Sequence, residues 1–219
     1  MGLRVNSKGL VAGARYFPSH NRDARPAHRP ISLLVIHCIS LPPGEFGGPG
    51  IVKLFTNRLN PGAHPYYATI AGMRVSAHFL IRRDGALLQF VPCSGRAWHA
   101  GESSWRRRAR CNDFSIGIEL EGTEGTPFTG AQYRRLARLT RALRARYPLR
   151  DIVGHSDIAP GRKTDPGSRF DWPRYRALIG TRSGRRKPGT QTKRKSSRRT
   201  SRTPGRESTP RRPRRSSHQ

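Results

Sequence analysis

Apolar and polar residues cluster or alternate along this chain in ways that predict a β-sheet. Residues 31–36, ISLLVI, form a continuous apolar run with β-branched members, which is typical of a strand buried on both faces. Residues 115–121, SIGIELE, have a period of two, so both glutamates fall on the face opposite the isoleucines and the leucine. Residues 151–154 add a shorter apolar run. We therefore expect a central sheet that contains these three segments.

The remaining hydrophobic patterns predict a hairpin and helices around that sheet. Residues 77–83 and 86–92 are strand-like runs on either side of an Asp-Gly dipeptide, which is a strong hairpin signal. Thr129 and Gln132 have the spacing of a capping box at the start of an amphipathic helix. Helical spacing is found in three segments: residues 46–59, 130–147 and 172–179. The predicted fold class is α/β, with a central mixed sheet flanked by helices.

The C-terminal residues differ in composition from the rest of the chain. Residues 180–219 contain fifteen Lys or Arg, one acidic residue and no Leu, Ile, Val, Phe, Tyr or Trp. Such a segment has no apolar surface to offset the entropy lost on ordering, so we expect a disordered basic tail. We divide the chain into an irregular N-terminal arm packed on the domain, residues 1–30, a catalytic domain, residues 31–179, and the tail.

The formal net charge of +30 indicates an affinity for anions. The tail contributes part of this charge, but the domain is basic as well, which suits an anionic ligand or reflects an arginine-rich proteome. The domain has no usual nucleic-acid-binding motif. We therefore confine nonspecific contact with nucleic acid, another polyanion or an anionic membrane surface to the tail. The other interpretation is that the tail is a solvated polycation without a binding role.

Two features of the sequence indicate the cellular compartment. No segment is long and apolar enough to span a bilayer, and the N-terminal residues lack the apolar core of a signal peptide. The three cysteines, Cys38, Cys93 and Cys111, are scattered and have no CxxC spacing, which argues against a disulfide framework and against a structural zinc knot. We expect a cytoplasmic protein with reduced thiols that does not insert into a membrane.

The loop of residues 154–167, GHSDIAPGRKTDPG, is the segment richest in chemically useful side chains. His155 follows a predicted strand, and His37 follows the strand predicted for residues 31–36. Each histidine alone could be a structural residue, but ligands are held at strand ends, so we expect the two imidazoles to converge. With Asp165 they would form two His and one carboxylate, a recurring catalytic zinc site with a fourth position for water. We expect one Zn²⁺ per chain.

Two other residues are weaker candidates for metal ligands. Asp157 has the right side chain, but it is only two residues from His155. Cys38 is a softer ligand, and because it neighbours His37 on an extended chain it should point to the opposite side. We therefore prefer Asp165.

Hydrolysis of an amide also requires a base, an acid and a positive charge near the oxyanion. Glu119 could transfer the proton if the polar face of its strand lines the cleft, whereas on a solvent-facing strand it would be an ordinary surface acid. Lys163, two residues before Asp165, could stabilise the oxyanion. Trp98 and His99 are either core residues or part of a wall that contacts a sugar or a peptide.

Five blocks of sequence, spread over residues 10–178, closely resemble the cytosolic 1,6-anhydro-N-acetylmuramyl-L-alanine amidases of Gram-negative bacteria. These enzymes belong to a zinc amidase family that shares its fold with phage lysozyme-type amidases and peptidoglycan recognition proteins. The blocks begin at residues 37, 74, 96, 110 and 154 and read HCISLPPGEFGGPG, RVSAHFLIRRDG, RAWHAG, RCNDFSIGIELEG and GHSDIAPGRKTDPG.

This resemblance implies a reaction and a role for individual residues. The reaction is hydrolysis of the bond between the lactyl group of anhydro-muramic acid and L-alanine in muropeptides, during recycling of the cell wall. The resemblance implies that zinc is bound by His37, His155 and Asp165, and that the catalytic residues are Glu119 and Lys163. It also implies that the muropeptide is contacted by Arg74, Trp98 and Arg110.

Two alternatives share the fold but differ in function. One is a periplasmic amidase acting on intact peptidoglycan, against which the lack of a signal peptide argues. The other is a module that binds wall fragments without cleaving them. A complete set of metal ligands and catalytic residues argues against the second alternative, since a binding module does not need to activate water.

Overall fold

The computed structural model describes residues 2–180 of the chain, and the predicted basic tail lies outside the described residues except for Gly180. The helices are α1 Gly50–Phe55, α2 Pro65–Thr69, α3 Gly130–Arg144, α4 His155–Ile158 and α5 Trp172–Gly180, with 3-10 turns at Pro61–Ala63 and Cys111–Asp113. The strands are β1 Arg15–Tyr16, β2 Arg22–Ala24, β3 Leu33–Ile39, β4 Phe79–Ile81, β5 Leu87–Gln89, β6 Gly95–Ala97, β7 Ser104–Trp105, β8 Arg108–Ala109, β9 Ser115–Glu121 and β10 Asp151–Gly154. No helix among the described residues is long and apolar enough to cross a membrane.

The main sheet has six strands in the order β1-β5-β4-β9-β3-β10. Strands β4, β9, β3 and β10 run parallel to one another, whereas β5 is antiparallel to β4, so the sheet is mixed. Because β3, β9 and β10 run in the same direction, their carboxyl ends lie at one edge of the sheet, where ligands are commonly bound. The predicted α/β fold with a mixed sheet and flanking helices is confirmed.

The two faces of β9 have different neighbours. Ile116, Ile118 and Leu120 pack in the same core as α3 residues Leu136 and Leu139. The polar residues of the strand lie on the other face, as the period of two predicts, yet all seven residues of β9 are buried. A strand with polar side chains on a buried face indicates that this face lines a site, because buried polar groups need partners.

Helix α3 begins with the predicted capping box. The Thr129 side chain accepts a hydrogen bond from the Gln132 backbone N–H at 3.1 Å, and the Gln132 side chain accepts one from the Thr129 backbone N–H at 3.0 Å. The Thr129 hydroxyl also donates to the Arg83 carbonyl at 2.7 Å. These bonds attach the start of the helix to the hairpin of β4 and β5.

Replacing Thr129 with alanine is therefore expected to destabilise the protein by about 1 kcal/mol, the usual effect of removing a helix N-cap. Chemical denaturation monitored by circular dichroism would measure the change in the free energy of unfolding. Ser168→Ala, which removes an exposed hydroxyl, is the control and should change it little. Equal stability of Thr129→Ala and the control would contradict this role for the cap.

The N-terminal arm is more ordered in the structure than expected, and one predicted helix is shorter than expected. The arm of residues 1–30 contains β1, which pairs with β5 at the edge of the main sheet, and β2, which pairs with β6. Pairing through the backbone requires no hydrophobic periodicity, so the sequence pattern does not reveal such strands. The helix predicted for residues 46–59 is only α1, because Gly47, Gly48 and Pro49 precede it. The boundary predicted at residue 180 stays a prediction.

The structure also corrects two predicted strand and loop boundaries. Strand β3 continues to Ile39 because Cys38 and Ile39 pair with Leu120 and Glu121 of β9, so His37 lies within the strand and not after it. The loop that begins at residue 154 is not wholly irregular, because its first residues form the short helix α4.

Candidate metal centre and active site

Three side chains from distant parts of the chain converge at the carboxyl edge of the sheet. The Nδ1 atoms of His37 and His155 are 3.0 Å apart. Asp165 Oδ2 lies 3.1 Å from His37 Nδ1, and Asp165 Oδ1 lies 3.1 Å from His155 Nδ1. The three ligand atoms all lie within 4.8 Å of one another, and both histidines are buried. The sequence-predicted metal ligands are thus brought together.

Strand register and loop contacts produce this convergence. Strands β3 and β10 are parallel neighbours with Ile36 beside Gly154. The residues that follow these two, His37 in β3 and His155 directly after β10, therefore lie at the same level of the sheet. The loop then folds back, since the Ser156 backbone N–H donates to the Asp165 carbonyl at 3.0 Å. Ten residues therefore separate two side chains that meet in space.

The weaker ligand candidates have other contacts. Asp157 Oδ2 accepts a hydrogen bond from the Gly154 backbone N–H at 2.7 Å and so caps helix α4. Cys38 packs against the core on the α3 side of the sheet. Burial, together with the nearby carboxylate of Glu119, raises the pKa of its thiol well above the usual value. Neither residue belongs to the convergent group.

Hydrogen bonds at the outer nitrogens determine which atoms of the imidazoles face the site. His155 Nε2 lies 3.1 Å from the Ala100 carbonyl oxygen, which can only accept, so the proton of neutral His155 is on Nε2 and the Nδ1 lone pair points inward. His37 Nε2 has the Nδ1 atom of His99 as its partner, at 2.9 Å. When His37 donates this bond, two lone pairs face each other, an arrangement that a cation stabilises.

The ionisation states also suit a metal ion. Burial lowers the pKa of His37, which keeps its imidazole neutral. Burial opposes ionisation of Asp165, but its close contacts with the imidazoles of His155 and His37 outweigh this effect and hold its pKa below the usual range. Neutral imidazoles and an ionised carboxylate are the forms that bind zinc. The residues present therefore fit a zinc ion.

Glu119 lies directly beside His37 in the paired strands β9 and β3. Its side chain is buried, and among residues 2–180 no hydrogen-bond partner reaches Oε2. Burial raises the pKa of this carboxyl well above its usual value, and the negative charge of Asp165 adds to the effect while Lys163 opposes it. A buried carboxylate oxygen without a partner marks a position for a water molecule or a substrate group.

This raised pKa has a consequence for the stability of the metal-free protein. A carboxyl with a higher pKa in the folded state stabilises the fold below its unfolded pKa, and this contribution is lost as the pH rises through the folded pKa. The Glu119→Gln variant has no carboxyl group at this buried position, so its stability should not fall as that group ionises. Metal-free Glu119→Gln should therefore be more stable than the metal-free parent at about pH 8 and similar to it at about pH 4, as thermal unfolding would show. A parent that gains stability relative to Glu119→Gln as the pH rises would contradict this prediction.

A cavity of about 640 Å³ opens above these residues, a size typical of small-molecule sites. Its floor includes His37, Glu119 and Asp165, and the exposed residue Lys163 lies at its margin. The wall is largely apolar and includes Leu41, Tyr66, Ile70, Met73, Val75 and Trp98. Tyr66 and Met73 are exposed although they are large and apolar, as expected for a surface that contacts a ligand.

The three residues predicted to contact substrate differ in position. Trp98 lines the cavity, and its indole N–H donates to Asp23 at 2.7 Å, which fixes the ring. Arg74 is exposed and lines a smaller adjoining cavity together with Trp98 and Lys163. Arg110 does not line either cavity, and it forms an ion pair with Asp113 at 3.4 Å. Their roles in substrate binding stay predictions.

Sequence reasoning did not identify the contacts behind the convergent histidines. His99 bonds to His37 on one side and to the Ser115 hydroxyl on the other, at 3.1 Å. One signal was available in the sequence. Gly117 interrupts the polar face of β9, and a glycine inside a strand often marks a close approach of another group. A Cβ atom at this position would lie 2.5 Å from the His99 ring.

This fold and site define a class of protein. Residues 27–168 match the model of the N-acetylmuramoyl-L-alanine amidase family, Amidase_2. The chain belongs to this family of amide-cleaving enzymes. The family named from the sequence blocks is thus confirmed.

One relative and two solved structures illustrate the similarity. The 1,6-anhydro-N-acetylmuramyl-L-alanine amidase AmpD of Citrobacter freundii is 60% identical over 174 residues, which cover 78% of this chain and 93% of that protein. A crystal structure of a selenomethionine AmpD derivative superposes with a TM-score of 0.77 at 59% identity, covering 79% of this chain and 98% of that one. The Escherichia coli amidase AmiD, in complex with anhydro-N-acetylmuramic acid-L-Ala-D-γ-Glu-L-Lys, superposes with a TM-score of 0.51 at 31% identity, covering 81% of this chain and 65% of that one.

Proposed function

We propose that this protein is a zinc-dependent amidase that hydrolyses the bond between 1,6-anhydro-N-acetylmuramic acid and L-alanine in soluble muropeptides, in the cytoplasmic recycling of peptidoglycan. The observation that supports it most directly is the convergence of two buried imidazole Nδ1 atoms and a carboxylate beside the unpartnered oxygen of Glu119. The anhydro-muramyl specificity is supported by the name of the Citrobacter freundii relative and by the sugar peptide in the AmiD complex. Unpaired cysteines among the described residues agree with a reducing compartment.

His37, His155 and Asp165 would hold the zinc ion. When bound, zinc would lower the pKa of water towards 7 and polarise the substrate carbonyl. Glu119 accepts the proton of the attacking water, whose oxygen adds to the lactyl carbonyl carbon. Glu119 then delivers this proton to the nitrogen of L-alanine as the C–N bond breaks, so that a carboxylic acid and a free amine result.

Lys163 and the cavity wall complete the proposed mechanism. Lys163 lines the same cavity as Glu119 and His37, and its positive charge there suits stabilisation of the negative charge on the carbonyl oxygen. The indole ring of Trp98 offers a flat apolar surface for the sugar. Arg74, at the adjoining cavity, would contact a carboxylate of the peptide. Arg110 could contact only a longer substrate that extends beyond the cavity.

Product analysis of one defined substrate tests this function. The zinc-loaded full chain is expected to convert anhydro-muramyl tripeptide into anhydro-N-acetylmuramic acid and the free tripeptide, as measured by mass spectrometry. Chelator-treated protein should be inactive and should recover activity with added zinc. Faster release from intact sacculi than from the soluble muropeptide would overturn the recycling role and favour the periplasmic alternative. Binding of the fragment without product from zinc-loaded protein would favour the recognition module.

Replacing Lys163 with methionine is expected to lower kcat by about 10² or more, because one group that stabilises the oxyanion is lost. The zinc content, measured by atomic absorption, should be unchanged because Lys163 is not a ligand. Lys53→Met, which makes the same replacement on the exposed surface of α1, is the matched control. Retention of full kcat by Lys163→Met would remove this residue from the mechanism.

A further inference from the structure

We propose that His99 is a positioning residue that selects the metal-binding tautomer of His37 and thereby sets the affinity of the site for zinc. This inference rests on the proposed zinc site. Three hydrogen-bonded groups form a chain behind the site. His37 Nε2 lies 2.9 Å from His99 Nδ1, and His99 Nε2 lies 3.1 Å from the Ser115 hydroxyl oxygen. We call this set the His99 relay.

The hydrogen bonds of the relay can run in two directions when the imidazole rings of His37 and His99 are both neutral. In the first, His37 donates from Nε2, His99 accepts at Nδ1, and His99 donates from Nε2 to Ser115. In the second, Ser115 donates to His99, which donates from Nδ1 to His37, and the proton of His37 is then on Nδ1. Only the first direction leaves a lone pair on His37 Nδ1, which is the atom near His155 and Asp165. The second directs a proton to the position of the metal.

The two histidine ligands therefore depend on their outer partners to different degrees. The Ala100 carbonyl can only accept, so its bond to His155 Nε2 at 3.1 Å permits only one tautomer of neutral His155. An imidazole can donate or accept, so His37 is bound to a partner that permits either tautomer. The direction of the hydrogen bonds in the relay decides whether His37 can bind the metal. Ser115 affects His37 through its hydrogen bond with His99.

The His99 ring is held in place from several sides. Asn112 Oδ1 accepts hydrogen bonds from the backbone N–H groups of His99 and Ala100, at 3.1 and 2.9 Å. The ring packs edge-on against His37 and His78, with centroid distances of 5.0 and 5.7 Å. Gly117 leaves the space that the ring occupies, because a Cβ there would lie 2.5 Å from it. This packing is expected of a residue whose orientation matters.

Three variants of the full chain test the relay through zinc affinity. His99→Leu removes the acceptor and is expected to weaken zinc binding about 10- to 100-fold, the usual effect of losing the hydrogen-bond partner of a metal ligand. His99→Gln offers an amide oxygen as acceptor and should restore part of the affinity. His20→Gln, the same replacement at an exposed histidine, is the control and should bind zinc like the parent. Competition with a chromogenic chelator measures each affinity.

Nitrogen-15 NMR of the metal-free proteins gives a readout that does not involve zinc or activity. The parent is expected to carry the His37 proton on Nε2 in a larger fraction of molecules than His99→Leu. In the variant the proton should shift to Nδ1, where the Asp165 carboxylate lies 3.1 Å away as an acceptor. If His99→Leu fails to fold, Gly117→Ala serves as the second variant. It keeps the His99 side chain but displaces its ring, and it should weaken zinc binding as well.

Three results would overturn the inference. The first is zinc affinity of folded His99→Leu or Gly117→Ala within threefold of the parent, and the second is an unchanged His37 tautomer in either variant. The third is equal weakening in His99→Gln and His99→Leu, which would assign His99 a purely structural role. A parent protein that binds no zinc would instead contradict the proposed function, so the two failures are distinguishable.

Discussion

Replacement of Asp165 with asparagine is expected to abolish zinc binding and amidase activity together. Asp165 supplies the only negative charge among the three convergent side chains, and its oxygens lie 3.1 Å from both imidazole Nδ1 atoms. Asparagine has nearly the same shape but leaves two lone pairs facing each other without an anion nearby. A loss of several kcal/mol of charge stabilisation corresponds to a rate that is lower by about 10³ or more.

The matched control lies in the same loop. Asp157→Asn makes the same chemical change at a residue that caps helix α4 and does not belong to the metal group. This variant should keep one zinc ion and most of its activity, with a loss of at most about 1 kcal/mol in stability. Metal analysis of both purified variants, followed by turnover of anhydro-muramyl tripeptide, compares them. One tightly bound zinc in Asp165→Asn would contradict the assignment of the ligands.

Glu119→Gln is expected to have the second largest effect, a loss of about 10² to 10⁴ in kcat, which is the usual contribution of a positioned general base. The amide keeps the size of the side chain but cannot accept the proton of water. The zinc content and KM should change little, because Glu119 lies beside His37 and does not belong to the three convergent side chains. Steady-state kinetics on one muropeptide, combined with metal analysis, separates the two effects.

Glu102→Gln serves as the control because it makes the same change at an exposed residue. Its kcat should stay within a few-fold of the parent value. Turnover by zinc-loaded Glu119→Gln at the rate of this control would exclude Glu119 as the base. Loss of zinc from Glu119→Gln would instead indicate that the residue contributes to binding of the metal.

The parts of the fold that depend on local sequence could be predicted. The hairpin of β4 and β5 is predicted by its Asp-Gly turn, and the start of α3 is predicted by the capping-box spacing of Thr129 and Gln132. The convergence of His37 and His155 was also predictable, because each imidazole follows or ends an apolar run that forms a buried strand. Parallel strands bring such positions to the same edge of the sheet.

Contacts that depend on strand register could not be predicted in the same way. Glu119 and Glu121 have equivalent positions in the alternating pattern, but their neighbours differ. Glu119 lies beside His37 and has an oxygen without a partner, whereas Glu121 forms an ion pair with Arg82 and accepts a hydrogen bond from Gly47. The pattern gives the face of the strand, and only the tertiary structure gives the contacts on it.

The same reasoning explains why the sequence alone does not clearly distinguish Asp157 from Asp165 as a metal ligand. Both are aspartates in one short loop, and the sequence gives no measure of how the loop folds. The hydrogen bond from Ser156 to the Asp165 carbonyl, at 3.0 Å, brings the second aspartate to the histidines. The first is used at the start of a helix, where a carboxylate satisfies a free backbone N–H.

Strand β10 lies at the end of the main sheet, and within residues 2–180 its one strand neighbour there is β3. Edge strands open more readily than central ones and are more exposed to proteases. Zinc bound between His37, on β3, and His155, directly after β10, would clamp this edge to the centre of the sheet. Supply of the metal would then govern the lifetime of the folded enzyme in the cell as well as its catalytic competence, so that zinc starvation would reduce its abundance.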